Sequence, residues 1–247
     1  MDRQVPTQTK SMKIHKKQDI YGGKDPRDLA AYSIAEAARY LKIAPATLRS
    51  WIAGREYPTQ EGTSFFSPLM TTPEEDPPRL SFNNLVEAHI LRALRTQHGV
   101  SIDAVRKAIA FAGKHYKIKR LLLSPELRTD AGDLLLDKYG ELVNLSKSGQ
   151  LALKKVLEVY LKRVEWDETK VPTRFYPFST SDALDARKII VIDARLSFGR
   201  PVVSRRGVST AAIVDRIDAG ESVAEVATDY ELEPREIEEA IIYERAA

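Results

Sequence analysis

The 247-residue chain is 43% hydrophobic, carries no cysteine and has four scattered histidines. Disulfides, thiolate metal sites and cysteine nucleophiles are therefore excluded, and no histidine spacing suits a metal. No apolar run reaches about 18 residues and no apolar signal core follows the N-terminus, so a cytoplasmic protein without a membrane span is expected.

The formal charge of +3 hides a segregation. Residues 1–120 hold 20 Lys+Arg against 12 Asp+Glu, residues 121–217 hold 16 against 13, and residues 218–247 hold 2 against 10. A basic front suggests a polyanionic partner. The acidic end argues against that stretch touching one.

In chain order, residues 1–30 are polar, with a Lys-rich run at Lys13–Lys17, and read as a flexible basic arm. Residues 31–119 read as mainly helical. Ser33 and Glu36 form a Ser-x-x-Glu capping pair, in which each side chain satisfies the other's free backbone N–H. Ile34, Ala38 and Leu41 repeat on one helical face. A turn at Lys42–Ala44 leads to Pro45, suited to the first position of a second helix. There Leu48, Trp51 and Ile52 face inward, leaving Lys42, Ala44, Ala46, Thr47, Arg49 and Ser50 outside. Gly54–Ser81, rich in proline, reads as a long loop. Further helices are expected near Asn83–Gln97 and Ser101–Tyr116.

Residues 120–192 change character. Arg120–Leu127, Asp133–Asp137 and Leu142–Ser146 read as strands, with Tyr139–Gly140 as a turn. A helix carrying Leu153, Val156, Leu157, Tyr160, Leu161 and Val164 follows, then strand candidates at Thr173–Phe178 and Lys188–Asp193. Ser197–Gly207 reads as a hairpin, with Arg195, Arg200, Arg205 and Arg206 clustered around it. Residues 193–247 end helical. Ile213, Val214 and Ile217 lie on a helix stopped by Gly220, and Ser222 and Glu225 repeat the capping pair. The fold class expected is α+β.

Ser222–Ile241 aligns without a gap with Ser33–Ile52, and Ser, Ala, Glu, Ala, Pro and Ile recur at the same six offsets. Both have helix-turn-helix spacing. A recognition helix lies among phosphates at about one charge per 1.7 Å of duplex axis, so its outer face needs neutral or basic side chains. The first copy meets that requirement. The second presents Glu231, Glu233, Glu236, Glu238 and Glu239 against the single Arg235, and five acids against one Arg repel a polyanion. No paired carboxylates, nucleophile motif or phosphate loop appears. No catalytic residue, metal or cofactor is expected, and the reading is non-enzymatic.

Tyr32–Gly54, followed by Arg79–Leu94 and His98–Ile109, resembles the winged helix-turn-helix of MerR-type regulators. The resemblance implies that Lys42, Ala46, Thr47, Arg49 and Ser50 meet DNA, with Arg55 and Arg79 flanking the wing. Ala44 stands where that family has a Ser or Thr cap, and no long dimerisation helix follows. Asp193–Glu244 is similar to an antitoxin-like helix-turn-helix domain, and the whole layout resembles the larger VapB-type antitoxins. That implies operator DNA, a VapC-type PIN-domain ribonuclease and a second copy of the chain as partners. Self-association is expected through Ile213, Ile217, Val226, Tyr230, Ile237, Ile241, Ile242 and Tyr243. The Tyr57–Pro78 loop or the middle unit is available to hold the toxin. The alternative is a stand-alone regulator whose middle unit senses a small ligand.

Overall fold

In the computed structural model, which describes residues 21–60, 62–95, 102–143, 146–178 and 187–246, a two-residue strand β1 (Tyr32–Ser33) runs directly into α1 (Ile34–Leu41). Residues 1–20, with the Lys13–Lys17 run, lie outside the described set. After the Lys42–Ala44 turn comes α2 (Pro45–Ala53), then the antiparallel hairpin β2 (Arg55–Thr59)–β3 (Gly62–Phe66). β4 (Glu74–Glu75) and β5 (Pro78–Leu80) pair, and β5 also pairs with β1. The Gly54–Ser81 stretch expected as a loop is therefore mostly a wing and a small sheet. Pro58 argued against a strand, but a two-stranded ribbon has only edges, where proline is tolerated.

α3 (Phe82–Leu94) and α4 (Ile102–Tyr116) follow, then two 3₁₀ turns at Leu121–Leu123 and Pro125–Arg128, α5 (Asp130–Val143) and α6 (Lys147–Leu161). This corrects the strands expected at Arg120–Leu127 and Asp133–Asp137 and the turn at Tyr139–Gly140; of the strand expected at Leu142–Ser146, Leu142 and Val143 are helical and residues 144–145 lie outside the described set. Ala131, Leu135 and Tyr139 are buried at a spacing of four, with Leu136 beside them, which is the period of a helix. Gly140 is no turn residue: it lies inside α5, with the end of the Gln150 side chain of α6 packed over it, 2.3 Å from where a Cβ would be. The middle unit keeps a two-stranded sheet, β6 (Val164–Trp166) with β7 (Pro172–Phe175). β8 (Ile190–Val191), β9 (Val202–Val203) and β10 (Val208–Ser209) form a sheet ordered β10-β9-β8. α7 (Thr210–Asp218), α8 (Val223–Asp229) and α9 (Pro234–Arg245) complete the chain. Helices mixed with small antiparallel sheets make the fold α+β.

α3 is the axis of the molecule. Every residue of it except Arg92 is buried, because α1 packs on one side and α6 on another. One hydrophobic core consequently runs from Tyr32 to Ala194 across residue 120. A second core, built by Ile190, Val203, Ile213, Val226, Leu232, Ile237, Ala240 and Tyr243, holds the C-terminal unit together. Among the described residues no helix is long and apolar enough to cross a membrane.

Candidate nucleic-acid interface

The first helix-turn-helix is built by local chemistry. The Ser33 hydroxyl accepts from the Glu36 amide at 3.2 Å, and the Glu36 carboxylate accepts from the Ser33 amide at 2.9 Å. α1 stops at Lys42, which adopts the left-handed region at φ 53°. The Ile43 amide then donates back to the Ala38 carbonyl at 3.0 Å. The last carbonyls of α1 would otherwise lack partners. Arg92 of α3 donates to that of Leu41 at 2.7 Å, and the Tyr243 hydroxyl of α9 donates to that of Tyr40 at 3.1 Å. α2 begins with Pro45 at its first position, and Ala44 offers no side-chain cap.

Leu48, Trp51 and Ile52 bury one face of α2. Its other face opens onto a groove of about 570 Å³ lined by Ala46, Thr47, Arg49, Ser50, Arg55 and Arg95, with Phe66 of the wing as its far wall. Gly54 makes the corner between helix and wing. It sits at φ 73°, and a Cβ there would lie 2.3 Å from the Phe66 carbonyl oxygen. Tyr57 stacks on Phe66 at 3.9 Å between ring centroids, and Arg55 lies over the same ring at 5.6 Å. Arg49 is exposed and makes no hydrogen bond or ion pair among the described residues. The Ser50 hydroxyl donates to the Thr47 carbonyl at 2.7 Å, leaving its lone pairs free to accept. Five of the expected residues are thus together on one concave basic surface.

Two are elsewhere. Lys42 donates from Nζ to the Tyr243 carbonyl and lies 4.4 Å from the centroid of that ring. Burial there pulls its pKa down to about 8. It belongs to the seam with the C-terminal unit, because the turn that carries it meets α9. Arg79 lies on β5, donates to the Ala31 carbonyl at 3.0 Å, and lines a different cavity. Sequence reasoning missed Phe66, since reading the wing as a loop hid which residues face α2, and Arg95, which comes to the groove from the far end of α3.

The second helix-turn-helix repeats the bonds of the first through its opening helix and turn, and differs at the start of its second helix, where the Glu233 amide donates to the Glu236 carboxylate at 2.8 Å. Ser222 and Glu225 form the same capping box. Glu231, at the offset of Lys42, adopts φ 52°, and the Leu232 amide donates to the Ala227 carbonyl at 2.9 Å. Its acidic face is partly spent within the chain. Arg206 pairs with Glu231, and Arg205 pairs with Glu236 at 2.9 Å. Glu236, expected outside, is buried.

Of the residues expected to join two chains, Ile213, Val226, Ile237 and Tyr243 are closed inside their own chain's core. Ile217, Tyr230 and Ile241 are half-buried against it. Ile242 alone of that set is exposed, at 45%.

Residues 30–109 match the family model described as "Putative DNA-binding HTH domain", and residues 190–243 match a family described as a protein of unknown function, DUF433. The chain is similar to "Putative antitoxin VapB45" of Mycobacterium tuberculosis, with 28% identity covering 87% of this chain and 93% of the relative. Its fold is shared with the crystal structure of Rv2018 from the same organism at a TM-score of 0.62 and 24% identity, over 87% of this chain and 98% of the other.

Proposed function

The chain is related over most of its length to a VapB-type antitoxin and carries a helix-turn-helix domain; from that premise we propose that it binds its own operator as a dimer and neutralises a VapC-type PIN-domain ribonuclease. The observation that carries the DNA half is the groove between α2 and the wing, where Thr47, Arg49, Ser50 and Arg55 converge. Its roles divide by chemistry. Arg49, an unpaired fork of donors, suits the O6 and N7 acceptors of guanine in the major groove. Thr47 and Ser50 add hydroxyls. Arg55, held against Phe66 at the root of the wing, suits a phosphate and positions without reading sequence.

A mobility-shift titration with the DNA upstream of the gene tests this. Arg49→Ala with Thr47→Ala should weaken specific binding by about ten- to a hundredfold, the scale of one lost base contact at about 1–3 kcal/mol. Arg55→Ala should weaken all sequences alike and reduce the salt slope by about one. Unchanged affinity in the double variant rejects α2 as the reader. For the antitoxin half, the neighbouring gene product should co-purify with the chain and lose RNA cleavage on binding. No complex and no inhibition would remove that half.

A second reading has one observation in its favour. A cleft of about 440 Å³ between the reader and the middle unit is lined by Leu69 and Met70 together with Asp28, Asn84, Glu87 and Arg120. A small effector seated there would make the chain a ligand-sensing regulator, and the absence of a toxin gene next door would favour it.

A further inference from the structure

Three consecutive residues of the C-terminal unit are left-handed: Ser197 at φ 49°, Phe198 at φ 55° and Gly199 at φ 77°. Glycine is at ease there, whereas serine and a bulky aromatic are not. The surroundings force the shape. The Tyr32 hydroxyl donates to the Gly199 carbonyl at 2.9 Å, and a Cβ on Gly199 would lie 2.1 Å from that hydroxyl oxygen. The Gly199 amide donates to the Leu196 carbonyl at 2.9 Å and the Arg200 amide to the Ser197 carbonyl at 3.1 Å. Held this way, Phe198 is 77% exposed, the most of any large hydrophobic side chain among the described residues. Strain kept at a position that gains no packing inside the chain points to a use outside it.

Beside Phe198 lies a cavity of about 310 Å³ with walls from Tyr21, Leu29, Tyr32 and Tyr40 and with Arg200 on its rim. The Arg200 guanidinium makes no hydrogen bond or ion pair among the described residues. Glu36, also on the rim, is engaged with Ser33. The surface therefore offers a socket walled by aromatic rings and polar groups alike, in which the Arg200 charge reaches Glu36 without a direct ion pair, and it fits an apolar side chain that has a carboxylate nearby.

The same chain carries that pair. On α9, Ile242 is exposed, and Glu238, one helical turn before it, is exposed without a hydrogen bond or ion pair among the described residues. Positions four apart lie on one face. Tyr243, next to Ile242, docks on Tyr40, which is also a wall of the socket. The socket and the helix that carries the plug are thus present on the same chain and joined through Tyr40. An interface related by a two-fold axis requires this, since residue i of one copy meets residue j of the other and the reverse.

We propose that two copies pair through this patch: Ile242 of one enters the socket beside Phe198 of the other while Glu238 meets Arg200, and the contact is made twice. This deepens the dimer reading above and rests on it. The acidic second helix-turn-helix then serves as the plug, meeting the basic side of a second copy rather than DNA.

Sedimentation equilibrium of the full chain at micromolar concentration tests the pairing. The wild type should dimerise, more weakly as salt rises, because the Glu238–Arg200 contact is screened. Phe198→Ala and Arg200→Glu, both at exposed positions, should each weaken the dimer at least tenfold with an unchanged melting profile. Arg200→Glu combined with Glu238→Arg should recover most of the loss. A wild type that stays monomeric overturns the dimer reading itself. A wild-type dimer that both single variants leave intact overturns this interface only. If the variants remain dimeric but lose capture of the neighbouring gene's PIN-domain product, the patch belongs to the toxin and the self-pairing is overturned.

Discussion

His89 is fully buried on α3, its ring 4.6 Å from the ring centroids of both Tyr160 and Phe175. Its Nε2 lies 3.1 Å from the Tyr160 carbonyl, so the neutral ring donates there. Burial pushes its pKa down to about 3 against the opposing pull of that carbonyl, and the charges of Arg92 and Arg163 push the same way as burial. An unfolded histidine titrates near 6.5. Between about pH 6.5 and 3 the unfolded chain therefore holds one proton more than the folded chain. Stability is complete above that window and falls as pH falls through it, by up to about 1.4 kcal/mol per unit. His89→Gln keeps a donor but does not titrate. Urea unfolding at pH 7 and at pH 4.5 should show a lower starting stability and a shallower acid slope for this variant. Equal slopes would mean that other groups set the acid limit. Sequence alone says of His89 only that its spacing suits no metal, because what closes over it, Tyr160 and Phe175, lies more than seventy residues away.

At the scale of elements, the two helix-turn-helix copies were legible because the recurring residues are the ones that fix backbone. Ser and Glu cap, Pro opens the second helix, and small or aliphatic residues fill the inside. α5 was not legible, since three leucines in a row satisfy either period and only the partners α4 and α6 choose between them. The cap comparison also yields a prediction. Ser222 accepts the Glu225 amide at 3.3 Å, whereas Ala44, already extended at φ −57°, ψ 132°, gives α2 nothing. Ala44→Ser should stabilise the chain by about 0.5–1 kcal/mol and Ser222→Ala should cost about 1 kcal/mol. Calorimetric melts of the two variants check this. A destabilised Ala44→Ser would show that the turn cannot orient the new hydroxyl toward α2.

At the scale of the whole molecule, the reader is not a bead on a string. The core continues from α1 through α3 into α6, and the C-terminal unit caps the carbonyl of Tyr40 from the other direction. Arg39 adds an ion pair to Glu244 at 3.6 Å. Composition suggested a cut near residue 119, because the charge balance and the apparent strand signals change there. Burial does not respect that cut. A fragment of residues 1–119 would keep the groove residues but strip α3 of Leu157, Tyr160, Leu161 and Phe175, and α4 of α5. Each such side chain contributes about 1.5–3 kcal/mol when buried, so the four together match a typical net stability of about 5–15 kcal/mol. The fragment should give no cooperative thermal transition and no sequence-specific operator binding, although every residue proposed to touch DNA is present. Near-ultraviolet circular dichroism and a mobility shift read the two outcomes. A sharp melt with wild-type operator affinity would show that α3 completes its core without α6, and that the reader folds as an independent domain after all.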